Sequence, residues 1–132
     1  MIYLDTSVAL AHLLAEDRRP PDALWSEPLV ASRLLEYEVW TRLNDRSLGR
    51  SHRAGAEGLL GRIAFIELVR PVLERAKEPF THPVRTLDAL HAASMEFLVR
   101  QGQRFRLACY DRRLCAVATG LGVQLYPLDP SP

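Results

Sequence analysis

Ile2-Tyr3-Leu4-Asp5-Thr6-Ser7-Val8-Ala9-Leu10 reads as a short apolar strand that ends on an acid and turns at once into a helix. The same order returns near the other end of the chain, at Leu107-Ala108-Cys109-Tyr110-Asp111-Arg112-Arg113-Leu114. Between them, short apolar runs alternate with longer helix-like segments, the pattern of a parallel sheet covered by helices. An α/β fold follows.

Working outward, the first strand spans Ile2 to Leu4 and its helix runs from about Val8 to Glu16, with Thr6 and Ser7 as N-cap candidates. Arg18-Arg19-Pro20-Pro21-Asp22 is a loop. Leu29-Val30-Ala31 forms a second strand, and Ser32 is placed to cap a long helix through Leu48, which Gly49 ends. Ser51 is placed to cap another helix to about Leu60. A third strand covers Ala64 to Leu68, and Pro71 opens a helix to about Lys77, where its missing N–H does no harm. After the loop Pro79 to Pro83 come a helix from Thr86 to Gln101, a fourth strand from Leu107 to Tyr110, a helix from Arg112 to Thr119 and a fifth strand from Val123 to Tyr126. Pro127, Pro130 and Pro132 argue for a flexible tail over 127–132.

At 132 residues the chain is read as one domain, 1–132, with a single core. The longest apolar stretch, around Val8 to Ala15, is broken by His12 and too short to span a bilayer. No basic leader precedes Asp5, so a cytoplasmic location is the expectation, with no membrane partner. Cys109 and Cys115 lack metal-site or redox-motif spacing and read as buried reduced thiols. Of seventeen basic residues only Lys77 is a lysine, while the net charge is +1. Arginine grips phosphate through a planar fork, but a near-neutral chain has no broad basic surface. Any footprint for a polyanion must be local.

Asp5, Glu38, Asp88 and Asp111 stand where an open α/β sheet brings residues to one edge. Clustered carboxylates repel one another and raise their own pKa values, so such a group calls for a cation. Hard divalent metals prefer oxygen ligands and drive phosphodiester hydrolysis. Each acid also has a plainer reading. Asp5 and Asp111 suit helix N-caps, and Asp88 suits the positive end of a helix. Asp88 sits among small and apolar neighbours, where an unpaired carboxylate is costly, which favours coordination. Glu36 competes with Glu38, and the apolar residues around them are too widely spread for periodicity to choose. Arg42 is one turn from Glu38, the spacing of an i,i+4 ion pair. His91 reads as a packed helix histidine, because imidazole suits zinc better than magnesium. His12, His52 and His82 have no supporting spacing, and Trp25, Tyr37 and Trp40 read as core or interface residues.

Four stretches in order resemble the PIN-domain ribonucleases, and most closely the VapC-type toxins of toxin–antitoxin pairs. They are Ile2 to Ser7, Ser32 through Glu38 to Leu43, Arg85 to Ala93, and Tyr110 to Leu114. The resemblance spans essentially the whole chain. It implies a three-layer α/β/α sandwich with a parallel sheet in strand order 3-2-1-4-5. In that order the connections from strands 1 and 4 leave towards opposite faces and open a crevice beyond their carboxyl ends. Asp5 and Asp111 stand there.

The resemblance further implies a metal-dependent endoribonuclease in which Asp5, Glu38, Asp88 and Asp111 hold Mg2+ or Mn2+; the spacing from Ser32 selects Glu38 over Glu36. It implies a homodimer, an RNA substrate and a cognate antitoxin that covers the site. Arg42, Arg46 and Arg112 are candidates to touch substrate phosphate. Where such proteins often carry threonine and a further acid, this chain has Cys109 and Arg113. That departure makes one metal more secure than two. Two other readings stay open: a PIN-like scaffold that binds RNA or protein without much catalysis, and a haloacid-dehalogenase-like phosphatase, which wants an aspartate where Ser7 stands.

Overall fold

The computed structural model describes residues 1–128. Its central strand β1, Ile2–Leu4, is buried at every residue. Alternating side chains enter opposite layers, as a period of two requires. Ile2 and Leu4 join one apolar cluster, Tyr3 the other. Around β1 lie β2 (Leu29–Ser32), β3 (Ile63–Ile66), β4 (Arg106–Ala108) and β5 (Gln124–Leu125). All neighbours are parallel and the order is β3-β2-β1-β4-β5. The doubly wound α/β architecture expected from the sequence is present.

Helices α1 (Thr6–Leu13), α2 (Leu34–Asp45) and α3 (Arg53–Leu60) supply one layer, through Val8, Leu10, Leu35, Val39, Leu43, Ala56 and Leu59. The opposite layer takes α5 (Thr86–Arg100) and α6 (Arg112–Gly120), through Ala92, Met95, Leu98, Leu114 and Val117. The short α4, Arg70–Ala76, with proline near its start, packs along α5. Among the described residues no helix is long and apolar enough to cross a membrane. Cys109 and Cys115 are both free thiols, the first buried and the second half-buried.

Several local expectations are corrected. Helix α1 begins at Thr6, because Asp5 rather than Thr6 or Ser7 is its N-cap. A carboxylate facing free N–H groups also gains from the helix dipole. Helix α2 stops at Asp45, and Ser47 then takes a positive φ of 57°. Ser32 does bond the first turn of α2, its Oγ accepting from the Leu34 N–H at 3.1 Å. Ser51 does not cap α3: its hydroxyl donates back to the Leu48 carbonyl, and α3 starts two residues on. Strand β4 ends at Ala108, since the chain turns at Cys109, whose sulfur accepts the Asp111 N–H at 3.2 Å. Tyr37 is 61% exposed and belongs to no core, whereas Trp25 and Trp40 pack at the core's edge.

The flexible tail expected from Pro127 onward is corrected at its start. Leu128 is only 7% exposed and joins the cluster beneath α1 and α2. The Tyr126 N–H donates to the Leu107 carbonyl at 2.8 Å, which steers the chain back over the sheet edge. The rest of that expectation, 129–132, lies outside the described residues. Truncating a buried leucine removes its transfer free energy and leaves a cavity. Leu128→Ala is therefore expected to lower unfolding free energy by about 2–3 kcal/mol in urea titrations, whereas a solvated tail residue would cost nothing measurable.

Candidate active site

Two chain exits are tied together at the carboxyl edge of the sheet. The Asp5 N–H donates to the Ala108 carbonyl at 3.0 Å, which extends the β1–β4 pairing by one step. Ser7 closes the seam from above. Its hydroxyl donates to Asp5 Oδ2 at 2.6 Å and accepts the Tyr110 N–H at 3.1 Å. Asp5 and Asp111 are thus set on either side of one seam, and Glu38 and Asp88 reach it from α2 and α5. All four acids line a single cavity of about 310 Å³, together with Arg18, Arg42 and His91.

Each anchored acid uses one oxygen for the scaffold. Asp5 Oδ2 takes both the N–H and the hydroxyl of Ser7. Asp111 Oδ1 takes the N–H groups of Arg113 and Leu114 at the start of α6. Glu38 Oε1 takes the Thr6 hydroxyl at 2.8 Å and His91 Nε2 at 2.6 Å. Among the described residues no hydrogen bond reaches the second oxygen of any of these carboxylates, and none reaches Asp88 at all. The plain reading of Asp5 and Asp111 as caps is therefore correct for one oxygen each, and the other accepts no hydrogen bond among the described residues.

Electrostatics report the crowding. Burial, then the charges of Asp111 and Asp5, with Glu38 adding a smaller push, hold the Asp88 carboxyl above its ordinary range, against His91. Burial also pushes Glu38 upward, but the His91 hydrogen bond and charge, with help from Thr6 and Arg42, outweigh it and hold Glu38 low. Burial opposes a charge on His91, yet Glu38, Asp5 and Asp88 prevail and raise it.

The donor set suits a hard divalent cation: all oxygen, lining one cavity, with excess negative charge. Among the described residues no three side chains form a ready-made cage. Magnesium does not need one, because it keeps several waters and takes only one or two carboxylates directly. Asp5, Glu38, Asp88 and Asp111, which line one cavity, are the residues that could supply them.

Sequence reasoning undervalued His91. It is 1% exposed and spans two groups, Glu38 through Nε2 and the Tyr3 hydroxyl through Nδ1 at 3.4 Å. Tyr3 in turn receives the Ser32 N–H at 3.2 Å and donates to the His91 carbonyl at 3.3 Å. With both ring nitrogens as donors, every member of this buried chain is satisfied. His91 thereby fixes which way Glu38 points. Its place one turn after Asp88 was the available signal, since i and i+3 share a helix face. Thr6 was read only as a cap, and Arg18 was not singled out.

Other residues fall apart spatially. Glu36 pairs with Arg33 at 3.3 Å and lies outside the cavity. Arg42 lines the cavity without an ion pair to Glu38, Arg46 is exposed and lines none of the cavities described, and Arg112 lines the cavity next door. A larger cavity, about 1130 Å³ between α2, α3 and β3, is lined by none of the four acids. The chemistry is elsewhere.

The chain is similar to known proteins over most of its length. The PIN-domain family profile matches residues 2–120. Ribonuclease VapC46 of Mycobacterium tuberculosis is 34% identical over 128 residues, covering 92% of this chain and 93% of that relative. The crystal structure of Mycobacterium tuberculosis VapC20, described as a Sarcin-Ricin loop cleaving toxin, matches with a TM-score of 0.67. It is 24% identical, over 88% of this chain and 94% of that one, which is a likeness of fold.

Repulsion at Asp88 makes a stability prediction. Asp88→Asn removes one charge from the cluster and is expected to raise the melting temperature in EDTA by about 1–3 °C, the size of a partly solvent-screened charge effect. Magnesium is expected to raise the melting temperature of the parent and to move the variant much less. Equal magnesium shifts in both would remove Asp88 from the metal site.

Proposed function

This chain belongs to the PIN-domain family, and we propose that it is a VapC-type endoribonuclease toxin whose hydrolysis of RNA phosphodiester bonds depends on Mg2+ or Mn2+. One observation carries the metal-dependent reading. Three acids that line one cavity each spend one carboxylate oxygen on the scaffold and, among the described residues, keep the other without a hydrogen bond. A phosphatase of the haloacid-dehalogenase kind would need an acid where Ser7 instead locks the seam.

When bound, a divalent cation supplies an attacking water of lowered pKa and neutralises charge developing on the phosphate. Asp5, Glu38, Asp88 and Asp111 would hold it. The side chains of this protein then do the rest by position. Ser7 and the α6 N-terminus prevent Asp5 and Asp111 from swinging together. Thr6 and His91 keep Glu38 Oε1 occupied, so that only Oε2 faces the cavity. Arg42, lining the same space, offers a guanidinium to a phosphate oxygen. No side chain is placed as a covalent nucleophile.

The same cavity explains how such an activity is restrained. An antitoxin that inserts an arginine or lysine among the acids forms charge-assisted bonds with them without refolding the toxin. Val69, Leu73 and Leu87 are exposed on α4, its N-cap and the start of α5, and offer apolar surface to a second copy in a homodimer. A cytoplasmic location completes this reading.

Single-turnover cleavage of RNA in magnesium is the test. Asp5→Asn is expected to reduce the rate by more than about 100-fold, beyond the loss seen when a partner behind a ligand is removed. Glu38→Gln is expected to be far more damaging than Glu36→Gln. His91→Leu is expected to cost about 10- to 100-fold, while His91→Gln, which can still donate to Glu38, recovers most of it in a chain of unchanged melting profile. Full activity in Asp5→Asn would overturn the assignment of the site.

A further inference from the structure

Arg18 stands at a partition. On one side lies the acidic cavity. On the other lies a second cavity of about 350 Å³ floored by the buried Leu107, Cys109 and Leu128. Arg18 and Tyr110 line both. The second cavity adds Arg112 and Tyr126, and among the described residues no carboxylate lines it. The two spaces are thus neighbours of opposite character.

The arginines there are available. Arg33, Arg53, Arg75, Arg100 and Arg106 are committed to glutamates. Among the described residues Arg18 and Arg112 form no ion pair. Arg18 is nevertheless not loose: its guanidinium lies over the Tyr110 ring, 4.7 Å from the centroid. A held planar fork loses less freedom when it takes a phosphate. An apolar floor beneath a cationic rim matches a nucleotide, whose base has two apolar faces and whose phosphate is anionic.

We propose that this second cavity is a subsite for the nucleotide of single-stranded RNA that neighbours the phosphodiester at the acids, with Arg18 and Arg112 taking phosphate and the apolar lining at Leu125 and Tyr126 taking the base. The inference rests on the proposed ribonuclease reading for its substrate. The physical need is plain. An RNA strand brought to a group of carboxylates is repelled by them, so its hold must come from cations just outside. The shared wall at Arg18 and Tyr110 is where a strand leaving the acids next arrives.

The test measures binding apart from cleavage. A short fluorescein-labelled single-stranded oligoribonucleotide is titrated with the Asp5→Asn chain over a range of salt. Arg18→Ala combined with Arg112→Ala is expected to weaken binding and to flatten the slope of log Kd against log salt by about 1.4, the release expected for two phosphate contacts on a single strand. Arg104→Ala, an exposed arginine at the opposite, amino-terminal edge of the sheet, is expected to leave the slope alone. In the cleaving chain the Arg18 and Arg112 changes are expected to raise KM. A chain that cleaves RNA with an unchanged salt slope in the double variant would overturn the subsite and leave the ribonuclease reading standing. A flattened slope in a protein whose parent cleaves no RNA would do the reverse. Unaltered RNA binding with weakened binding of an acidic protein partner would assign the cavity to that partner and overturn the proposal.

Discussion

The seam between β1 and β4 is the constraint on which the rest depends. Two parallel strands whose connections leave towards opposite faces must separate at their carboxyl ends, and the gap exposes backbone groups that need partners. Here the Asp5 N–H takes the Ala108 carbonyl, and Ser7 binds the Asp5 carboxylate while receiving the Tyr110 N–H. One small hydroxyl therefore satisfies a backbone donor of one exit and fixes the side chain of the other. A larger residue at 7 would push the exits apart, and an apolar one would lack the oxygen that receives the Tyr110 N–H. The acids are close because the seam is closed.

That closure has an electrostatic cost, which the protein distributes rather than avoids. Burying like charges together destabilises the charged forms. Anchoring one oxygen of Asp5, Glu38 and Asp111 offsets part of the desolvation without neutralising the group. His91 adds a donor beneath Glu38 and is itself held by Tyr3, which is fully buried in the central strand. Among the described residues Asp88 lacks such a bond, and burial, joined by the charges of Asp111 and Asp5, raises its pKa. The site keeps a local excess of negative charge that only a cation removes. The same arrangement would suit a metal and, in turn, a basic side chain from an inhibitor.

The alternation of short apolar strands with helices, and acids at the ends of the first and fourth strands, made the topology legible. Those features are local and periodic. The boundaries were less legible, because a cap is decided by which side chain reaches the free N–H groups. Asp5 against Thr6 and Ser7 is such a contest, and geometry rather than residue type settles it. Glu36 and Glu38 shared one apolar helix, and only the structure separates an outward ion pair with Arg33 from a carboxylate turned to the seam. His91 stayed hidden because its partners are 88 and 53 residues away in sequence. Leu128 was masked by the prolines around it, since proline forbids regular structure without forbidding burial.

A net charge of +1 sharpens the problem of substrate binding. Long-range attraction of a polyanion to such a chain is weak, and the acids themselves repel it. Several arginines are spent on glutamates or on covering aromatic rings, as Arg33 and Arg75 are on both. What remains near the seam is Arg42 inside the acidic cavity, Arg112 in its neighbour, and Arg18 between them. Chemistry and affinity are then divided between adjoining spaces. Among the described residues no arginine forms an ion pair with the four acids, so most of their field is kept for a cation. Placing Arg18 on Tyr110, at the shared wall, fits that division. The guanidinium is held by a ring face rather than by a carboxylate, so its charge is kept for the strand.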